Sequence, residues 1–183
     1  RMTYKKMKIG IDISQLAHEG TGVANYLKNL VLNLVKTDKN NSYVLFYSSL
    51  RKPLDKAFIN GLTGLRVEVK QFRFPPTFLN LIWNKAHVFP IEYLIGSVDL
   101  FITSDWVEPP TLKAKKATII YDMIAYKHPE ETAQKIVDTQ KRKLFWVKNE
   151  TSVIFCISES TKNDVHKILG INENKIYVIY PGT

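Results

Sequence analysis

The chain has 183 residues, 45% of them hydrophobic and 23% charged, about one domain's worth of ordinary globular material, which excludes disorder, collagen and coiled coil as the main description. A chain of this length buries roughly 70% of the surface its unfolded form exposes, so it needs no disulfide staple, and its single cysteine, Cys156, rules out an internal disulfide and a cysteine zinc site. Twenty-six Lys and Arg against 17 Asp and Glu give a net charge of +9, which suits an anionic partner such as a phosphorylated ligand, nucleic acid or anionic lipid.

Arg1–Lys6 read as a tag remnant or ragged start. A natural beginning at Met7 puts a strand, Lys8–Ile13, at the N-terminus, which leaves no room for a signal peptide and predicts a cytoplasmic protein. Thr21–Lys36 carries apolar residues at helical spacing (Val23, Tyr26, Leu27, Leu30, Leu34, Val35). Tyr43–Tyr47 reads as a strand, Leu54–Asn60 as a short helix and Arg66–Val69 as a strand. Phe78–Leu94 is predicted as a helix broken near Pro90. The greasy run from Phe72 to Ile95 is interrupted by prolines and polar residues, so it does not span a membrane. It is read as core helix, with an exposed apolar lip at a membrane surface as the alternative.

Ser97–Thr103 and Ala117–Tyr121 are buried-type strands, and Glu131–Asn149 is a long amphipathic helix. Val153–Ile157 is a strand, Ser158 caps a helix running to Leu169, Gly170 stops it, and Lys175–Ile179 is the last strand. Continuous apolar strands alternating with helices predict a doubly wound α/β domain: a Rossmann-like, mainly parallel sheet of about seven strands with helices on both faces. Such sheets bind ligands beyond the carboxyl ends of their strands. The chain ends on Pro181-Gly182-Thr183, which reads as a cut at a domain boundary.

The loop after the first strand contains His18, Gly20, Thr21 and Gly22 before a helix. Two glycines there let backbone N–H groups approach a phosphate at a helix N-terminus; equally, the loop merely needs positive φ. The dinucleotide fingerprint fails, because Asn25 stands where a third glycine belongs, and no Walker loop occurs. After the fifth strand, Asp122 could accept a substrate hydroxyl's hydrogen bond or act as a base, or could cap a turn. His18, His87, His128 and His166 show no ligand spacing, so no metal is expected. The lysine groups at 113–116 and 141–143 read as solvated faces, and no motif supports nucleic-acid binding.

These segments, in register, resemble one family. The order is Met-Lys-Ile-Gly-Ile-Asp, Gly-Thr-Gly-Val before a helix, Val98-Asp99-Leu100-Phe101 followed by Pro109-Pro110, Tyr121-Asp122-Met123 leading to Pro129-Glu130, Ile157 to Asp164, and Lys175 to Gly182. From Met7 onward the chain is similar to the N-terminal half of a family-4 glycosyltransferase of the bacterial polysaccharide mannosyltransferase kind. The resemblance implies a GT-B enzyme of two Rossmann-like domains across a cleft: residues 7–183 as the acceptor-side domain, and a C-terminal donor-binding domain outside this chain.

It further implies transfer from a nucleotide sugar to a glycan or lipid-linked acceptor, with retention of configuration and no cofactor or metal. Peripheral association with the inner face of the cell membrane and no nucleic-acid partner complete that picture. It assigns Asp122 and Tyr121 to catalysis. Gly20, Thr21, Gly22, Ser158 and Glu159 are assigned to the donor diphosphate or substrate, and His18, Asp105, Trp106 and His128 to the acceptor side. Tyr121 stands where the family often has histidine. The competing reading is a stand-alone α/β domain that binds a phosphorylated ligand or partner without catalysis.

Overall fold

The structure, a computed structural model, describes residues 5–104 and 106–182. Seven strands form one sheet: β1 (Lys8–Asp12), β2 (Ser42–Ser48), β3 (Val67–Phe72), β4 (Leu100–Thr103), β5 (Lys115–Ile120), β6 (Val153–Cys156) and β7 (Ile176–Val178). Every neighbouring pair is parallel, in the order β3-β2-β1-β4-β5-β6-β7. This is the Rossmann-like sheet expected from the sequence. After β3 the chain crosses to the other side of β1, so the winding direction reverses between β1 and β4, the position at which open α/β sheets form their ligand crevice.

Both faces are covered, as period-2 alternation requires. Tyr43, Leu45 and Tyr47 of β2 join Ile9 and Ile11 under helix α1 (Gly22–Thr37), which buries Leu27, Val31 and Val35, and under α2 (Lys56–Gly61), which buries Phe58. Val44 and Phe46, from the same strand, face the opposite side with Leu79, Trp83, Ile91, Ile95 and Phe101. Gly10 is required where these layers meet, since a Cβ there would stand 2.7 Å from the Phe101 ring and 2.9 Å from Ile95. A third cluster sets α6 (Gln134–Glu150) and α7 (Glu159–Leu169) on β5 and β6 through Leu144, Val147, Ile154, Val165 and Leu169. Cys156 lies in that cluster, and burial pushes its thiol up to about 12.

The predicted helix over Phe78–Leu94 forms only in pieces. α3 (Pro76–Leu79) runs into a π-helical turn at Asn80–Lys85, followed by a loop and α4 (Glu92–Ile95). His87 (φ 50°) and Phe89 (φ 68°) occupy the left-handed region in that loop. The wide turn seats two large side chains inward. Trp83 is fully buried and donates from Nε1 to the Phe89 carbonyl at 2.9 Å. Asn84 bonds Asn80, the Trp106 carbonyl and the Glu108 N–H. A π-bulge of this kind commonly marks a place where tertiary contacts override local preference. α6 begins at Gln134 rather than Glu131, because Pro129–Glu131 forms a separate 3₁₀ turn, and α5 (Ile124–Lys127) precedes it. Ser158 and Gly170 bound α7 as expected: the serine accepts from Thr161 N at 3.1 Å and the glycine is left-handed.

The lysine groups are only partly solvated. Lys116 and Lys143 are each 2% exposed. Lys116 Nζ lies 3.1 Å from Glu108 and 2.7 Å from Glu150, and Glu150 also meets His87 at 2.8 Å. Although burial works the other way, Lys116 and His87 hold the Glu150 carboxyl below its usual range. Two buried lysines were not legible because charge runs carry no sign of which member turns inward. Among the described residues, no helix is long and apolar enough to cross a membrane.

Candidate functional site

The carboxyl ends of β1, β2, β4 and β5 open onto two adjoining cavities. The larger, about 350 Å³, lies beyond β1 and β2. Asp12, Ser14, Gln15, His18 and Ser48 give it a polar side, and Phe74, Pro76, Leu79 and Val107 an apolar one. The smaller, about 260 Å³, lies beyond β5 and is lined by Tyr121, Asp122, Met123, Gln140 and Lys143 among others. Trp106 and Ile136 line both, so the two cavities meet at these side chains.

Asp12 anchors the larger cavity. It is 4% exposed, and its Oδ1 accepts from Ser14 N at 2.9 Å. Burial holds its carboxyl above the usual carboxylate range, against the Ser14 hydrogen bonds and the Lys143 charge that pull it down. Ser14 Oγ in turn accepts from Ser48 N at 3.0 Å, tying the first loop to β2. Lys143 reaches from α6 under the cavities and donates to the Ser104 carbonyl. The Trp106 segment is clamped from behind, where Glu108 accepts from Thr103 Oγ1 at 2.6 Å and pairs with Lys116.

The glycine loop leads into the N-terminus of α1. Thr21 caps α1, its side chain accepting from Ala24 N at 3.2 Å. Gly20 has φ 83°, whereas Gly22 is an ordinary first helical residue whose Cβ would meet nothing within 4 Å. Positive φ is therefore required at Gly20, and Gly22 leaves open space above the first N–H groups of the helix. Neither residue lines the two cavities; they flank the larger one beyond His18, which does line it.

Asp122 is exposed, lines the smaller cavity and accepts from Ile124 N at 3.0 Å, so it caps the turn into α5 while facing the crevice. Tyr121 points inward. Its phenol is hydrogen-bonded to Ser104 Oγ at 2.9 Å, and its ring meets Tyr26 edge-on. Ser158 is engaged as the α7 cap, and Glu159, exposed beside it, receives Tyr180 at 3.4 Å. His128 is exposed on the turn before α6 and lines neither cavity. Asp105 lies outside the described residues. His128, Glu130 and Glu131 bring ligand atoms within 4.8 Å of one another, but they belong to one fully exposed turn and carry no metal assignment.

Sequence reasoning missed Asp12, Gln15 and Lys143 as cavity residues. Asp12 had a usable signal, since it ends the first strand at the point where the winding reverses. Gln15 follows it in the 3₁₀ turn Ser14–Ala17, and Lys143 had no signal, because only the packing of α6 across the strand ends brings it there.

Comparison with curated protein sequences returns no match. Among solved structures, the fold is similar to that of Phytolacca americana UGT2 complexed with UDP-2fluoro-glucose and pterostilbene, a GT-B glycosyltransferase, with 12% identity and a TM-score of 0.52. The match covers 100% of this chain and 55% of that one, so the chain spans about half its length. At this identity the likeness speaks to the fold alone. The family profile of Glycosyltransferase Family 4 matches residues 20–183, a span holding the glycine loop, the Trp106 segment, Asp122 and the α7 cap. The chain belongs to Glycosyltransferase Family 4.

Proposed function

We propose that this domain is the acceptor-side half of a GT-B enzyme that moves a sugar from a nucleotide sugar to a glycan or lipid-linked acceptor, with retention of configuration and without a metal ion. A second Rossmann-like domain, outside this chain, would bind the nucleotide and close the crevice. The family match supports the reaction class, and the span of about half the related structure supports the division of labour. The observation that carries the reading is the pair of cavities sharing Trp106 at the winding reversal, one amphipathic and roomy, the other bordered by Asp122.

In this reading the acceptor lies in the larger cavity, its apolar part against Phe74 and Leu79 and its polar part toward Ser14 and His18. Its hydroxyl reaches past Trp106 toward Asp122, which orients it or receives its proton. The donor diphosphate meets the open N-terminus of α1 above Gly22. The N–H groups there stabilise charge as the nucleotide leaves, which is the main catalytic requirement of such a transfer. Tyr121 acts on this site through Ser104 rather than by touching substrate. A hexose, and within the resemblance mannose, is the sugar we assign, for polysaccharide assembly at the cytoplasmic side of a membrane.

The test uses the protein with its second domain and a panel of nucleotide sugars. Asp122→Asn keeps an oxygen for Ile124 N and removes the charge, so turnover should fall roughly 10²-fold with the fold intact. If turnover per folded molecule is unchanged, the carboxylate serves the turn alone. If no nucleotide sugar is consumed while phosphorylated ligands still bind, the domain is a non-catalytic binder.

A further inference from the structure

The Trp106 segment is held by a side chain rather than by a strand. Asn84, buried in the π-helical turn, accepts from the Glu108 N–H at Oδ1 (2.9 Å) and donates from Nδ2 to the Trp106 carbonyl (2.8 Å). Its carboxamide thus pairs with the backbone on both sides of Val107, as a neighbouring strand would. These partners fix which way the amide faces, since a backbone N–H can only donate and a carbonyl can only accept. The second hydrogen of the same Nδ2 goes to Asn80 at 2.9 Å. The atom of Asn80 that receives it is therefore the carbonyl oxygen, and the amide nitrogen of Asn80 is turned the other way.

Asn80 is half-buried and lines the larger cavity, whereas Asn84 lies behind its wall. Among the described residues, none accepts from Asn80 Nδ2. An amide donor fixed in direction is thus left at the cavity side. The same cavity sets the rings of Phe74 and Trp106 beside the hydroxyls of Ser14 and Ser48. Lys135, the lysine among its lining residues, is exposed.

We propose that Asn80 is the residue by which the larger cavity recognises a sugar: its Nδ2, aimed by Asn84, donates to a hydroxyl oxygen of a pyranose whose apolar face meets the aromatic wall. An uncharged N–H donor beside aromatic rings matches a ligand that is itself uncharged, with C–H bonds on one face and oxygens at the rim. The donor has its direction before any ligand arrives, so binding removes less side-chain freedom. Asn84 acts through Asn80 and Trp106 and is a positioning residue. That the bound sugar is the acceptor of transfer rests on the functional reading above; the orientation of Asn80 does not.

Nuclear magnetic resonance of the side-chain amides in this chain tests the orientation without a ligand. The Asn84 amide protons, both bonded inside, should exchange with deuterated solvent about a hundredfold more slowly than those of Asn80. The reverse order overturns the proposal. Recognition is tested by titration with methyl glycosides of glucose, mannose and galactose, read on the Asn80 amide and Trp106 indole resonances. At least one glycoside should move both, and no response to any of the three overturns the proposal. Asn80→Asp keeps an oxygen for Asn84 and removes the donor, so it should weaken that glycoside about tenfold. One monodeoxy analogue of the same glycoside should lose as much on the wild type and nothing further on the variant. A loss that falls alike on every analogue would make Asn80 a structural residue and overturn its assignment, as would equal affinity in wild type and variant. Asn80→Leu, of similar size and without a donor, repeats the comparison if circular dichroism shows that the aspartate disturbs the fold. In the longer protein, with that glycoside as acceptor, Asn80→Asp should raise its KM about tenfold, the loss lying in KM rather than in kcat. Absence of transfer with glycoside binding intact would count against the catalytic reading alone.

Discussion

Asp12 sets a titration against the usual one for a carboxylate. Its folded pKa is raised by burial, so the folded state binds the proton more tightly than the unfolded state does. Its contribution therefore falls as pH rises from the ordinary value of 3.8 through the folded pKa. Glu150 has the opposite sign: with Lys116 and His87 as partners its pKa is lowered, so its contribution is present above 4.5 and is lost on acidification. Asp12→Asn should then melt no lower than the wild type at pH 7, and the two curves should converge as pH falls toward 4. A lower melting temperature for the variant at pH 7 would mean that the charge facing Lys143 outweighs burial. The two loop glycines separate in the same way. Gly20→Ala forces a side chain into the left-handed region and should cost about 1 kcal/mol of stability. Gly22→Val meets open space, so it should leave the melting temperature within a few degrees yet cut transfer by the longer protein at least tenfold, because a branched side chain bars an anion from the helix N–H groups. Equal loss of folding and transfer would reduce Gly22 to a turn residue.

At the scale of elements, the buried ion pair behind the Trp106 segment is the most consequential contact. Lys116 and Glu108 are 2% and 0% exposed in their side chains. Lys116→Met leaves Glu108 buried without its cation and should cost about 3 kcal/mol in urea unfolding, whereas adding Glu108→Gln should recover much of that loss. If the double variant is no better than the single, desolvation of Glu108 is not what the lysine offsets. This pair also shows where the sequence stops being informative. The strands, α1 and α7 were legible because apolar spacing, Ser158 and Gly170 act within a few residues. The π-helical turn was not, because its cause is remote: Asn84 bonds Trp106 and Glu108, more than twenty residues away. Asp122 and the glycine loop were legible as loops at strand ends, but the joining of two cavities through Trp106 depends on α6 crossing the sheet, which no local pattern encodes. Lys143 was hidden for the same reason.

For the whole molecule, the described strands form one seven-stranded sheet. Both faces are covered, every neighbouring pair of strands is parallel, and three clusters fill the layers. A domain built this way should unfold in one cooperative urea transition as the chain stands. Chemistry is another matter. The cavities open to solvent at the strand ends, and the cations that line them, Lys135 and Lys143, stand on α6, whereas Gly22 lines neither cavity. A leaving diphosphate would find helix N–H groups on one side and water on the other, and preorganised charge stabilisation requires both walls and exclusion of water. The isolated chain should therefore retain acceptor binding in the larger cavity, read as protection of Trp106 fluorescence from acrylamide, while transferring sugar at least 10³-fold more slowly than a protein that includes a second Rossmann-like domain. Trp106→Phe should remove the protected signal, which distinguishes it from that of Trp83 and Trp146. Transfer by these 183 residues at a comparable rate would place the whole catalytic apparatus on one side of the crevice and overturn the division of labour. Cooperative unfolding with neither binding nor transfer would instead mean that the acceptor cavity takes its working shape only when the second wall closes over it.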